Sequence, residues 1–171
     1  MCAVLKLLKR IEVRLLLLLV IVGLALLAYK RWGRFHGEAS DAPFEITKVE
    51  LQRDHGFGVL SLTIDYDNRD GTEDVTAVSG PAEGPATARL VTASGRVPSH
   101  FFLGGEFPPV FKAGERTTET VRYWIERSDL EHALYFESGP DRVIVKNDAP
   151  IALDEIENQK TVTFDSPEWK L

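Results

Sequence analysis

Five carboxylates, Asp65, Asp67, Asp70, Glu73 and Asp74, crowd into ten residues of this sequence around one turn. Oxygen-rich loops of this kind bind hard cations such as Ca²⁺. The register departs from the Asp-x-Asp-x-Asp-Gly pattern, because Arg69 stands where a ligand belongs. The competing role is plainer: outward positions of an alternating strand and its turn, where charge also discourages edge pairing. His36, His55, His100 and His132 have no metal-ligand spacing to one another. Asp54-His55 is half of a catalytic triad on paper, yet Asp54-His55-Gly56 has the composition of a hairpin tip. The sequence has no Gly-x-Ser-x-Gly elbow and no phosphate-cradling glycine loop, and its one cysteine, Cys2, lies ahead of the domain. A non-enzymatic protein without a cofactor is the expectation.

A different chemistry is offered by residues 100–111, HFFLGGEFPPVF, with four Phe, Leu103, Val110 and a Pro pair in twelve residues. One reading makes Phe101, Phe102, Leu103, Phe107 and Val110 an apolar loop that receives a partner protein, since exposed apolar patches rimmed by charge mark interfaces. The other sends Phe102 and Phe111 into the core and leaves the remainder as its lid. Phe101→Asp together with Phe107→Asp separates them: the first reading expects loss of partner capture with the fold intact.

The elements that must position these residues follow a period of two. Phe44, Ile46, Val49 and Leu51 read as a strand with a slip of face near Lys48, a bulge. Leu60, Leu62, Ile64 and Tyr66 alternate with polar residues, and Asn68-Arg69-Asp70-Gly71 closes that strand with a turn. Further strands are expected over 73–79, 88–93 and 97–103, with a hairpin-type turn at Ser94-Gly95. Another is expected over 117–126, with Val121, Tyr123 and Ile125 as its apolar file. Ser128-x-x-Glu131 has capping-box spacing and predicts one short helical turn. Strands over 133–137 and 142–146, and a weaker one over 161–164, complete the list. Seven or so short strands with turn signals every eight to twelve residues point to an all-β sandwich.

Ahead of these strands runs Leu15 to Tyr29, LLLLLVIVGLALLAY, unbroken and apolar. At about 1.5 Å per residue it spans roughly 22 Å as a helix, and Arg14 and Lys30 extend it by reaching for the headgroups. Tyr29, Lys30, Arg31 and Trp32 are the expected membrane-interface residues, with Phe35 just beyond. A cleaved signal fits less well: the best small residue, Ala28, has Leu26 at the minus-three position, and Lys30 and Arg31 would follow the cut. The chain is therefore read as a basic segment (1–14), a transmembrane anchor (15–32), a linker (33–43), a sandwich (44–165) and a C-terminal tail (166–171). The domain is expected outside the cytoplasm, at an inner or plasma membrane.

Charge narrows the partners. From Phe35 onward, 13 Lys and Arg face 25 Asp and Glu, a net charge of −12 inside a whole-chain −6. Such a body lacks the positive face that nucleic acid requires, and the lipid bilayer contact is expected only through 15–32. Cys2 leaves no partner for an intradomain disulfide.

The succession TIDYDNRDG, RLVTASGR, FKAGERTTETVRYWIE and ALYFESGPDRVIV resembles the small immunoglobulin-like domains of unknown function that follow lipoprotein signals or single membrane anchors in bacteria. The resemblance covers roughly residues 45–147. It implies a seven-stranded immunoglobulin-like sandwich in which Asn68, Gly95 and Gly114 are turn formers, with no catalytic residue carried over. The lipidated Cys usual in that family is missing here. The sandwich domain of late-embryogenesis proteins is a second, poorer likeness. A binding or assembly module for an envelope protein partner is the favoured function, with a stress-protective sandwich or a Ca-binding one as alternatives.

Overall fold

Alternation of apolar and polar residues builds two long strands that carry the rest of the domain. β1 (Phe44–Asp54) and β2 (Phe57–Asp67) pair antiparallel through the tight turn His55-Gly56. His55 takes φ 54°, the left-handed conformation such a two-residue turn needs. The computed structural model describes residues 18–23, 35, 42–80 and 86–171. Nine strands are present among these residues, so the chain is all-β in its domain.

The first sheet has the order β6-β2-β1-β9, where β6 is Arg116–Ile125 and β9 is Thr161–Phe164. The register of β1 on β2 shifts between Ile46 and Lys48, which turns Val49 and Leu51 back toward the core. The second sheet has the order β5-β3-β4-β7-β8, with β3 (Val75–Ala77), β4 (Thr87–Thr92), β5 (Val110–Phe111), β7 (Leu134–Ser138) and β8 (Asp141–Lys146). β3 and β4 pair in parallel, unlike the other ladders. The inner faces meet in one core: Phe44 packs edge-on against Phe136 at 5.2 Å, and Tyr66 stacks on Phe111 at 4.7 Å. Tyr66 Oη and Ser138 Oγ, 2.8 Å apart and buried, add a polar tie across the layers.

Asn68 is the node of the loops at one end. Its buried Nδ2 donates to Glu73 O (3.0 Å) and Phe111 O (3.1 Å), while its carbonyl accepts from Gly71 N and Gly114 N. A Cβ on Gly71 would stand 1.7 Å from Asn68 Oδ1, so any side chain here requires the buried Asn68 amide to give up its position. Gly95 and Gly114 both take positive φ in turns.

The short helical turn is present where expected, and four details are corrected: a strand, the residue that caps that turn, Phe35 and the C-terminal tail. The strand expected over 97–103 is absent: only His100 forms a bridge, and it pairs with Tyr123 of the opposite sheet. Pro98 lacks an N–H, and Arg96 is drawn toward Asp129, so the chain leaves the second sheet after its turn. The helical turn is a 3-10 turn, Arg127–Glu131, held by Asp129 Oδ2 accepting from Glu126 N at 2.8 Å rather than by Ser128. Phe35 is not an interface aromatic: it is 2% exposed and belongs to the sandwich core. The supposed tail is likewise docked, with Trp169 buried against Phe164.

The chain divides into two units, Met1–Gly33 and Arg34–Leu171. Within the first, residues 18–23 are helical and Leu18 through Val22 are all exposed. Most of the anchor expected over 15–32, and with it Arg14, Tyr29, Lys30, Arg31 and Trp32, lies outside the described residues. Among those described, no helix is long and apolar enough to cross a membrane.

Candidate functional site

The turn that closes on Gly95 delivers the aromatic stretch to the edge of β6. Thr92 N donates to Arg96 O (2.8 Å) and Gly95 N to Thr92 O (2.9 Å), reversing the chain. Arg96 then pairs with buried Asp129 and, at 2.8 Å, with Glu126, tying this turn to the 3-10 turn. From there the main chain runs antiparallel to β6: Trp124 N donates to Ser99 O (2.7 Å) and Phe101 N to Arg122 O (2.9 Å). After Phe101 it departs from the edge and arches outward.

Glu106 pins the arch. Its carboxylate accepts from Leu103 N (2.9 Å) and twice from Arg122 Nη1 (2.8 and 3.0 Å), and Gly105 at φ 89° supplies the bend. The Leu103 amide and the Arg122 guanidinium hold the Glu106 carboxyl below its ordinary range. The aromatics then part into two groups. Phe101 stacks on Trp124 (5.4 Å, 21°), and Phe57 packs on the same indole at 5.0 Å. His100 sits edge-on between Tyr123 and Phe102, with its Nε2 buried and unpartnered among the described residues, and burial pushes its imidazole pKa down.

The rest faces solvent: Phe102 is 42% exposed, Leu103 53% and Phe107 83%, with Val110 also exposed. A cleft of about 390 Å³ opens between Phe102, Phe107 and Pro109 on one side and Thr118, Glu119 and Thr120 of β6 on the other. The structural reading of this stretch is right for Phe111, which is wholly buried, and not for Phe102.

The carboxylate turn is spent on other partners. Arg116 grips Asp65 (3.0 and 2.6 Å), and Arg69 grips Asp67 and holds its carboxyl down at about 2. Asp74 accepts from Ala113 N at 2.8 Å, while Asp70 and Glu73 point outward from exposed positions. No three His, Cys, Asp or Glu side chains converge as a metal site among the described residues. Asp54-His55 is a hairpin tip, as its composition suggested: the pair is 2.8 Å apart, and His55 N donates to Asn158 Oδ1.

Of the five residues read as a possible apolar surface, Phe102, Leu103, Phe107 and Val110 are exposed and Phe101 is half-buried, and nothing in that reading foresaw what they rest on. Trp124, Arg122 and Thr120 occupy the outward positions between Val121, Tyr123 and Ile125, and a tryptophan at a wet position of an alternating strand was the available signal. No family model, curated protein or solved structure matches this chain.

Proposed function

We propose that this protein is a single-pass, membrane-anchored binding module that presents an immunoglobulin-like sandwich outside the cytoplasm and captures an envelope protein through its aromatic loop. One observation carries the reading. Phe102, Leu103, Phe107 and Val110 stay in water on a loop that is not slack but fastened to β6 by main-chain bonds and the Glu106–Arg122 pair. Leaving Phe107 solvated forgoes most of the roughly 1.5–3 kcal/mol that full burial returns, and the half-covered Phe102, Leu103 and Val110 forgo a part of it each. The anchor is supported by the apolar run itself and by residues 18–22. Five consecutive helical residues circle the axis, so this stretch is apolar all round, the surface that lipid accepts and water does not.

The test is a photo-reactive phenylalanine analogue placed at Phe107 of the full chain in its own cells, with one at exposed Glu157 as control. A single discrete cross-linked species from position 107, lost in Phe102→Asp/Phe107→Asp, is the expected outcome. Both residues are exposed, so the variant should keep the wild-type melting temperature to within a few degrees. Equal labelling from both positions, or capture undiminished in the variant, rules this reading out.

A further inference from the structure

The cleft beneath the aromatic loop has a floor of particular chemistry. Arg122 offers its carbonyl, and Trp124 its N–H, outward to the chain's own Ser99–Phe101 segment. The register of β6 on β2 is unbroken from Gly58↔Ile125 to Asp67↔Arg116. In an extended strand successive residues alternate the side to which both main-chain groups point. Thr120 and Thr118 therefore present N–H and C=O to the same outer side as Arg122. The chain's own pairing stops at Phe101, and β6 is an edge strand, so among the described residues these groups have no main-chain partner. They are half of a ladder, continuous with the half already formed.

From this we infer that the edge of β6 at Thr118 and Thr120 takes an extended peptide segment of alternating apolar and basic residues, added as a strand antiparallel to β6. The inference rests on the reading of the aromatic loop as the capture surface and specifies how capture occurs. A row of main-chain donors and acceptors in register is matched group for group by another extended main chain, which is what makes strand addition a general mode of peptide recognition. The apolar residues of the segment meet Phe102, Phe107 and Pro109 across the cleft. Its basic residues answer the charge of the site. Arg122 is neutralised by Glu106, Glu119 has no cationic partner among the described residues, and the domain around them carries −12. An acidic segment would be repelled from the same edge.

The experiment uses the full chain in lipid nanodiscs. Alternating Val-Lys and Val-Glu octapeptides serve as probes, with two Val-Lys versions N-methylated at even or at odd residues. Amide exchange at Thr118 and Thr120, and affinity by fluorescence anisotropy, are the readouts. Val-Lys should protect both amides and bind about tenfold or more tightly than Val-Glu. Only one of the two N-methylated versions should lose about tenfold, because alternate amides face the edge. Thr120→Pro, which removes an outward N–H and leaves the β2 ladder untouched, should weaken binding similarly. The peptide comparison does not depend on that variant folding. Binding that Phe107→Asp abolishes without protection at Thr118 and Thr120 overturns strand addition and leaves the capture surface standing. Protection that grows with protein concentration and needs no peptide makes a second copy the occupant and overturns the inference. If no Val-Lys probe binds, the inference fails, and cross-linking from Phe107 then decides separately whether the capture reading fails with it.

Discussion

Lys146 is the residue whose placement makes the sharpest physical demand. It is completely buried, and its Nζ reaches two acceptors, His132 O at 2.9 Å and Asn147 O at 3.0 Å. Two carbonyls match the two donors of a neutral amine and leave the third proton of an ammonium without a partner. Burial accordingly lowers its pKa from 10.5 to about 8, against a smaller opposing pull from Asp148. Between those two values the unfolded chain holds a proton that the folded chain has released. Stability must therefore rise with pH across that window, the reverse of what an exposed lysine in an ion pair would give. Urea unfolding at pH 7.5 and pH 10 should show the wild type gaining roughly 1–3 kcal/mol relative to Lys146→Met over this interval. Taking the difference cancels the tyrosines, which titrate in both proteins. Parallel stabilities at the two pH values would mean that Lys146 is solvated in the folded state.

At the scale of the element, what could be read in advance followed from how many residues shared one pattern. β1, with its bulge at Ile46/Lys48, and the alternating β2 and β6 declare themselves because ten or so residues repeat the same choice of face. Asn68-Arg69-Asp70-Gly71 was legible through its turn chemistry, though not the role of Asn68 in binding three loops. β5 has two residues and the parallel β3–β4 contact has three at most, too few to leave a period. The aromatic stretch looked like a strand because Phe and Val favour strands, but Pro98 and the Arg96–Asp129 pair outweighed that preference. Ser166–Leu171 shows the same limit, since six residues carry no pattern. Trp169 nevertheless stacks on Phe164 (4.3 Å, 3°) and donates Nε1 to Val145 O at 3.0 Å. Pro167 O also accepts from Asn147 N at 2.9 Å, which fastens this segment to the end of β8. Trp169→Ala should cost about 3–5 kcal/mol, and Trp169→Phe, which keeps a ring and loses the hydrogen bond, about 1–2. Equilibrium urea melts decide it, and an unchanged midpoint for Trp169→Ala would return the segment to the status of a free tail.

At the scale of the whole molecule, the proposed membrane anchoring has two apolar features that compete for the role of meeting lipid. Residues 15–32 make a run that at 1.5 Å per residue covers about 27 Å, and the aromatic loop presents Phe107 at 83% exposure. Charge separates them. An acidic domain is repelled by the anionic leaflet, and the loop's four exposed apolar side chains, of which only Phe107 is largely uncovered, offer too little area to hold a domain to a neutral one. The full chain should therefore stay in membranes through alkaline extraction. Residues 34–171, which retain core residue Phe35, should fail to sediment with either anionic or zwitterionic vesicles. Ionic strength should not change that result, since no basic patch is being screened. If residues 34–171 do sediment with zwitterionic vesicles and Phe107→Asp releases them, the loop inserts into lipid. Its apolar side chains would then be accounted for without a protein partner, and the β6 edge would need its own occupant to retain any function. If neither vesicle holds them, the loop and the edge beside it are left with water or a polypeptide to face, and the cross-link from Phe107 becomes the measurement that names the partner.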